Sequence, residues 1–357
     1  MPTGTENTPP GTARRALVVG SGFVGSEIAR RLVVEGHQVT LGSRGRPTVA
    51  PEDYGARWQS LDATDASACD WAVATVAPRT VVLVHGPSDV TWCEAHPEEA
   101  AAAHRAATAH FAAVPGLDRI VMISTDNVFD GSGAENVEST PTAPANAYGA
   151  AKRAAEEVLL SGAASPATAL RVSLVYGHEP AGGEKWLNFF ASCAHRLARG
   201  EPVEAPDDQW TTPVLVDDVA RVVARLLSHD GGLPPVLHLG GPERVSRAAW
   251  AREIARALGA PTALVRPVPR AAGRYASRPQ NTCLSSTLLP TVPGMNAVPL
   301  QGVATAAEAL ASRFLRSGST ASAAPTCTAA SSLVPGKGAH ASPEPERRYR
   351  FRGGQDA

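Results

Sequence analysis

The stretch ALVVGSGFVGSEIARRL, residues 16–32, constrains the fold more than any other. A short apolar run enters a loop with Gly20, Gly22 and Gly25 in G-x-G-x-x-G spacing, and helical periodicity follows at once. That order predicts a buried strand turning tightly into a helix. Glycines there permit the turn and let backbone N–H groups approach a pyrophosphate at the helix N-terminus. With 32 glycines in the chain the spacing alone is weak; its place between strand and helix carries the reading. Gly20, Ser21, Gly22, Phe23, Val24 and Gly25 are therefore the expected dinucleotide contacts.

The same alternation continues. Apolar runs near 16–19, 38–41, 80–84, 119–123 and 168–172 read as strands, with helical patterns at 22–35, 95–113 and 146–161 between them. Strand and helix in regular alternation predict an α/β fold, a Rossmann-type doubly wound parallel sheet. Beyond about residue 175 the pattern loosens into helical stretches at 186–199, 216–228 and 246–258, separated by Pro- and Gly-rich links. The expected organisation is a dinucleotide-binding domain over 15–175. A smaller C-terminal substrate-binding lobe would span 176–316, with elements returning to the sheet. Residues 1–14 and 317–357, rich in Thr, Pro, Gly and other small residues, read as disordered ends.

Bulk properties exclude several function classes. Thirty-three basic residues against 34 acidic ones leave a formal net charge of -1, which gives neither nucleic acid nor an anionic membrane a reason to bind. No apolar run approaches the roughly 20 residues that span a bilayer, and the N-terminus lacks the apolar stretch of a signal peptide, so the cytoplasm is the expected location. The five cysteines contain no C-x-x-C pair and the ten histidines no H-E-x-x-H pattern; no metal site is expected.

The second strand ends in HQVTLGSRGRP. A carboxylate there would hydrogen-bond the adenosine ribose of NAD. Ser43, Arg44 and Arg46 stand there instead, and guanidinium groups suit a 2′-phosphate, so NADP(H) is expected over NAD(H). A solvent-facing basic loop is the competing reading. Asp62, in SLDATD, is a candidate for the adenine or a plain turn residue.

PANAYGAAKRAAEEVLL holds Tyr148 and Lys152, four apart and so on one helix face. The chain has only three lysines, which makes this pair far more specific than the glycine loop. A compact ammonium beside a phenol stabilises the phenolate and reaches ribose hydroxyls, which a planar guanidinium does less well.

At this point the chain resembles the extended short-chain dehydrogenases/reductases, and within them the dTDP-4-dehydrorhamnose reductase branch. The pieces that carry the resemblance lie in order: the glycine loop, STDNVFDG, NAYGAAK, RVSLVYG, APDDQWTTPVLVDDVA, HLGGPERVS and SRPQNTCLSS, covering about residues 15–316. The resemblance implies hydride transfer from NADPH to the C4 keto group of a nucleotide-activated 6-deoxy-sugar. Thr125 matches the hydroxyl on the substrate carbonyl, Tyr148 the proton donor, and Lys152 the residue that holds the nicotinamide ribose and tunes the tyrosine. His85 and Gly86 open the segment that borders the nicotinamide. Gln209 and Trp210 match positions facing the nucleotide-sugar, Asn188 one near it, and Asp126 is a lesser substrate-side candidate. Arg278 is a candidate for the diphosphate, with a surface salt bridge as the alternative. Asp207, Asp208, Asp217 and Asp218 read as turn and cap residues.

Three departures qualify the resemblance. Val19 stands where extended members commonly have the first glycine. Pro87-Ser88-Asp89 replaces the usual Ala-Tyr-Thr. Asn127 replaces the tyrosine of S-T-D-Y-V-F-D-G and so marks a candidate difference in substrate. An epimerase or dehydratase of the same superfamily, and a non-catalytic NADP-binding regulatory subunit like that of methionine adenosyltransferase, are the competing functions. A homodimer is one possible assembly.

Overall fold

The structure, a computed structural model, describes residues 14–181, 187–271 and 275–319; most of the two ends read as disordered, 1–13 and 320–357, lies outside the described residues. The strands are β1 (Arg15–Val19), β2 (Gln38–Ser43), β3 (Arg57–Ser60), β4 (Thr80–Leu83), β5 (Arg119–Thr125), β6 (Ala167–Val172), β7 (Val175–Tyr176), β8 (Val203–Pro206), β9 (Trp210–Thr211), β10 (Val214–Leu215), β11 (Val236–Leu239), β12 (Val245–Ser246), β13 (Val265–Val268) and β14 (Asn281–Thr282). The helices are α1 (Phe23–Val34), α2 (Ala66–Val76), α3 (Val90–Ala95), α4 (Pro97–Ala112), α5 (Ala147–Gly162), α6 (Phe189–Ala198), α7 (Val216–Ser228), α8 (Arg247–Ala257) and α9 (Val303–Ser319).

Seven parallel strands form the central sheet in the order β11-β6-β5-β4-β1-β2-β3. This is the expected doubly wound arrangement. Strand β5 shows why its sequence reads as an unbroken apolar run: all seven residues are buried. Val121 and Ile123 join a core built with α1 and α7, while Ile120 and Met122 join the opposite core with α2, α4 and α5. A strand covered on both faces has no polar side to alternate. A third core, around Tyr176, Phe190, Trp250 and Phe314, gathers α6, α8 and α9. Two late elements return to the sheet: α7 packs on α1, and β11 extends the sheet beyond β6.

The helical pattern at 95–113 is α4, and the shorter α3, outside that pattern, is separated from it by a break at His96 (φ -135, ψ 57). Pro97 causes the break, because its ring disfavours helical backbone in the preceding residue while suiting the first position of α4. Helix α9 runs to Ser319, three residues into the stretch read as tail; Val303, Ala306, Ala307, Leu310 and Phe314 recur at helical spacing and bury against the third core. Among the described residues no helix is long and apolar enough to cross a membrane.

Candidate active site

The strand order reverses between β1 and β4, and ligands of open α/β sheets settle in the crevice at that point, beyond the carboxyl ends of the strands. The glycine loop leaves β1 there. Gly20 has φ 113 and donates its N–H to Gly42 O at 2.8 Å; a Cβ on it would stand 2.7 Å from Val84 O. A Cβ on Gly25 would stand 1.9 Å from Gly20 O. The loop therefore closes on itself only without side chains. Gly22 caps α1 without a side-chain bond, and Phe23 and Val24 form the first turn, whose N–H groups lack intrahelical partners. A helix N-terminus of this kind is where a phosphate group can accept from backbone N–H groups. Ser21 supports it through its carbonyl, which accepts from Ser26 Oγ at 3.0 Å.

At the end of β2, Ser43 Oγ donates to Gly45 O at 2.7 Å and accepts from Trp58 Nε1 at 3.1 Å. Arg46 pairs with Glu52 at 2.6 Å and lies 5.5 Å from the Trp58 ring centroid. Arg44 is exposed. Asp62 accepts from the Thr64 N–H at 3.0 Å and hydroxyl at 2.7 Å, a local turn. Burial pushes its carboxyl up, but those bonds and the Arg44 charge hold it below the ordinary value. After β4, His85 is buried beside Lys152; burial first, and the ammonium second, push its imidazole down to about 3, so it is neutral. Its Nε2 lies 3.3 Å from His104 O. His104, which nothing in the sequence singled out, stands with its ring centroid 6.2 Å from that of Tyr148 and its Nε2 3.1 Å from Pro87 O.

Thr125, Tyr148 and Lys152 converge at the carboxyl end of β5. Thr125 is the last residue of that strand, and Tyr148 and Lys152 lie in the first two turns of α5. Burial raises the Tyr148 phenol well above its ordinary value, with the Asp126 and Cys93 charges adding and a hydrogen bond with Thr125 opposing. Lys152 is 5% exposed and donates from Nζ to Ile123 O at 3.0 Å. Burial pulls its ammonium down to about 8, against the pull of Glu156. Glu156, one turn further along α5, is itself buried, paired with Arg171 at 2.6 Å and bonded by Ser124 Oγ.

The rest of the STDNVFDG turn is ordered around this trio. Asp126 is buried; desolvation pushes its carboxyl up to about 6, against bonds from Thr282, Ser173 and Thr125 and the charge of Arg247. Asn127 donates from Nδ2 to Asp126 Oδ1 at 2.9 Å and to Thr125 Oγ1 at 3.2 Å. Gln209 is buried between Pro279 O, to which it donates at 3.0 Å, and Arg247, whose Nε donates to it at 2.6 Å. Trp210 is half-buried beneath the Arg244 guanidinium, 4.1 Å from its ring centroid. Arg278, with Arg270, Ser277 and Gln280, lines a cavity of about 280 Å³ next to this turn; Ser277 O accepts from Asn146 at 3.3 Å. Asn188 caps α6. It accepts from Ala191 N, and its amide donates to Gly177 O and Glu179 Oε2.

Asn146, Ser173 and His104 are functional neighbours that sequence reasoning passed over. Asn146 carried a signal, a cap residue three positions before Gly149, whose N–H it accepts at 2.8 Å. Ser173 and His104 carried none, since their places depend on elements far apart in the chain.

The fold and this site define a class of architecture: a Rossmann-type doubly wound sheet with a glycine loop at its switch point and a Thr–Tyr–Lys set at the carboxyl end of β5. Residues 14–308 match the family described as RmlD substrate binding domain, and the chain belongs to that family. It is 36% identical over 172 residues to a dTDP-4-keto-6-deoxy-D-glucose reductase of Streptomyces niveus, spanning 46% of this chain and 56%, little more than half, of that relative. It is 32% identical over 281 residues to a dTDP-4-dehydrorhamnose reductase of Streptomyces griseus, covering 76% of this chain and 86% of the relative. The dTDP-4-dehydrorhamnose reductase of Bacillus anthracis, solved in complex with NADP, shares the fold with a TM-score of 0.65 at 22% identity, over 83% of this chain and 98% of that one.

Proposed function

We propose that the protein reduces the C4 keto group of a dTDP-type 4-keto-6-deoxy-sugar, with NADPH as the preferred cofactor. The observation that carries this is the convergence of Thr125, Tyr148 and Lys152 beyond the glycine loop, in a chain akin to two dTDP-sugar reductases. Bound in the crevice, the reduced nicotinamide would supply the hydride. Negative charge then grows on the carbonyl oxygen. A hydroxyl at Thr125 and a phenol at Tyr148 aimed at that oxygen stabilise it, and Tyr148 passes over its proton. Its raised pKa keeps Tyr148 protonated until then. Lys152 holds positive charge beside the phenolate that forms and has N–H donors left for a ribose.

Support for NADPH comes from Arg44, exposed at the end of β2 where no carboxylate waits for a ribose 2′-hydroxyl. The cavity beside Arg270 and Arg278 suits the diphosphate end of the substrate. The test is cofactor oxidation with a panel of 4-keto nucleotide sugars, run with NADPH and with NADH, and with Tyr148→Phe as control. The reading expects turnover with at least one sugar, a lower KM for NADPH, and roughly 100-fold or greater loss in the variant. Oxidation with none of them, or an unimpaired Tyr148→Phe protein, refutes it.

A further inference from the structure

Asn127 is hydrogen-bonded to Thr125, Asp126 and Asn146. A hydroxyl carries one proton and two acceptor sites. Both acceptor sites of Thr125 Oγ1 are taken by the same residue: the Asn127 backbone N–H at 3.2 Å and its side-chain Nδ2 at 3.2 Å. The single Thr125 proton faces Asp126 Oδ1 at 3.2 Å and the Tyr148 phenol oxygen. That carboxylate does not depend on it, for Asn127 Nδ2 donates to Oδ1 at 2.9 Å and Ser173 Oγ to Oδ2 at 3.1 Å.

The amide is held in this orientation from its other side. Asn127 Oδ1 accepts from Asn146 Nδ2 at 2.8 Å. Asn146 in turn caps α5, accepting from Gly149 N at 2.8 Å. A flipped Asn127 amide would set NH2 against NH2. The first turn of α5 also presses on the Asn127 backbone so closely that a Cβ on Gly149 would stand 1.9 Å from Asn127 O. Asn127 thus joins the strand end that carries Thr125 to the helix that carries Tyr148 and Lys152.

We propose that Asn127 is a positioning residue: by filling both acceptor sites of Thr125 Oγ1 it leaves that hydroxyl only a proton to offer, and so fixes it as a donor to the reacting carbonyl. The incoming carbonyl accepts the hydrogen bond that Thr125 Oγ1 otherwise gives to Asp126 Oδ1 and the Tyr148 oxygen, and Asp126 keeps its bond from Asn127. The inference rests on the reductase reading of the site.

A double-mutant cycle on the full chain tests it, with kcat and KM for the 4-keto sugar, NADPH affinity and melting temperature measured for each protein. Asn127→Leu, close in volume but without a donor, should lower kcat about 10-fold or more with NADPH affinity changed less than about twofold. Asn127→Asp, whose carboxylate accepts the Thr125 proton for itself, should lower it further. In a Thr125→Val background, each change at Asn127 should cost less than about twofold more, because there is no hydroxyl left to direct. A wild-type kcat in both Asn127 variants overturns the proposal, as does a loss that recurs in full in the Thr125→Val background. If Asn127→Leu does not fold, the Asn127→Asp arm decides by the same criteria. Wild-type protein that turns over none of the sugars defeats the reductase reading and this inference with it; active wild type with an additive cycle defeats the inference alone.

Discussion

At the scale of one residue, the proposed reaction ties the working pH range to Lys152. Its ammonium is buried and donates to Ile123 O, and burial pulls its pKa down to about 8. In the proposed reaction the charged form is the one that stabilises the Tyr148 phenolate. Since the pKa is lowered, that form is lost as pH rises through about 8 instead of near the ordinary 10.5. The account therefore predicts that kcat/KM for NADPH, which reports the free enzyme, falls above pH about 8. A profile flat to about pH 10 would mean that Lys152 keeps its ordinary pKa and is not desolvated as described. Tyr148 and Lys152 were legible because both partners of the pair lie within five residues of one helix. Thr125 was legible as the hydroxyl at a strand end, by resemblance. The state of Asp126 was not, because its partners Ser173 and Thr282 come from segments roughly 50 and 150 residues away.

At the scale of elements, β5 and α5 are held together by charge as well as by packing. Glu156 on α5 accepts three bonds from Arg171 on β6 and one from Ser124 on β5, with all three residues buried. Removing one partner of a buried ion pair leaves the other uncompensated and costs about 3–5 kcal/mol. Arg171→Met should therefore lower the unfolding free energy by about that amount in denaturant titration, and a loss below about 1 kcal/mol would show that water already screens the pair. The main strands were readable because burial on both faces gives an unbroken apolar run, and α1, α5, α7 and α8 because their apolar stripes recur at helical spacing. The two-residue strands were not. Strand β9 exists only because β12 and β14 flank it, and neither neighbour lies near it in sequence. Pro97 marked the start of α4, while α3, six residues with one alanine, was too short to show a helical period.

For the whole molecule, topology decides where chemistry can occur. The reversal of strand order brings the β1 glycine loop and the β4 segment with His85 together, and the carboxyl end of β5, two strands from β1, adds Thr125 beside them. The doubly wound sheet was predictable from alternation alone. The third core was not, since its aromatic residues are spread from Tyr176 to Phe314. The central claim is that this crevice directs hydride from the cofactor to C4 of a keto-sugar and releases an alcohol. NADPH carrying deuterium on the transferred face of C4 of the nicotinamide, followed by NMR of the sugar product, tests it most directly. The account predicts one deuterium at sugar C4 for each NADPH consumed. Sugar converted without deuterium uptake, or with no NADPH consumed, would contradict it.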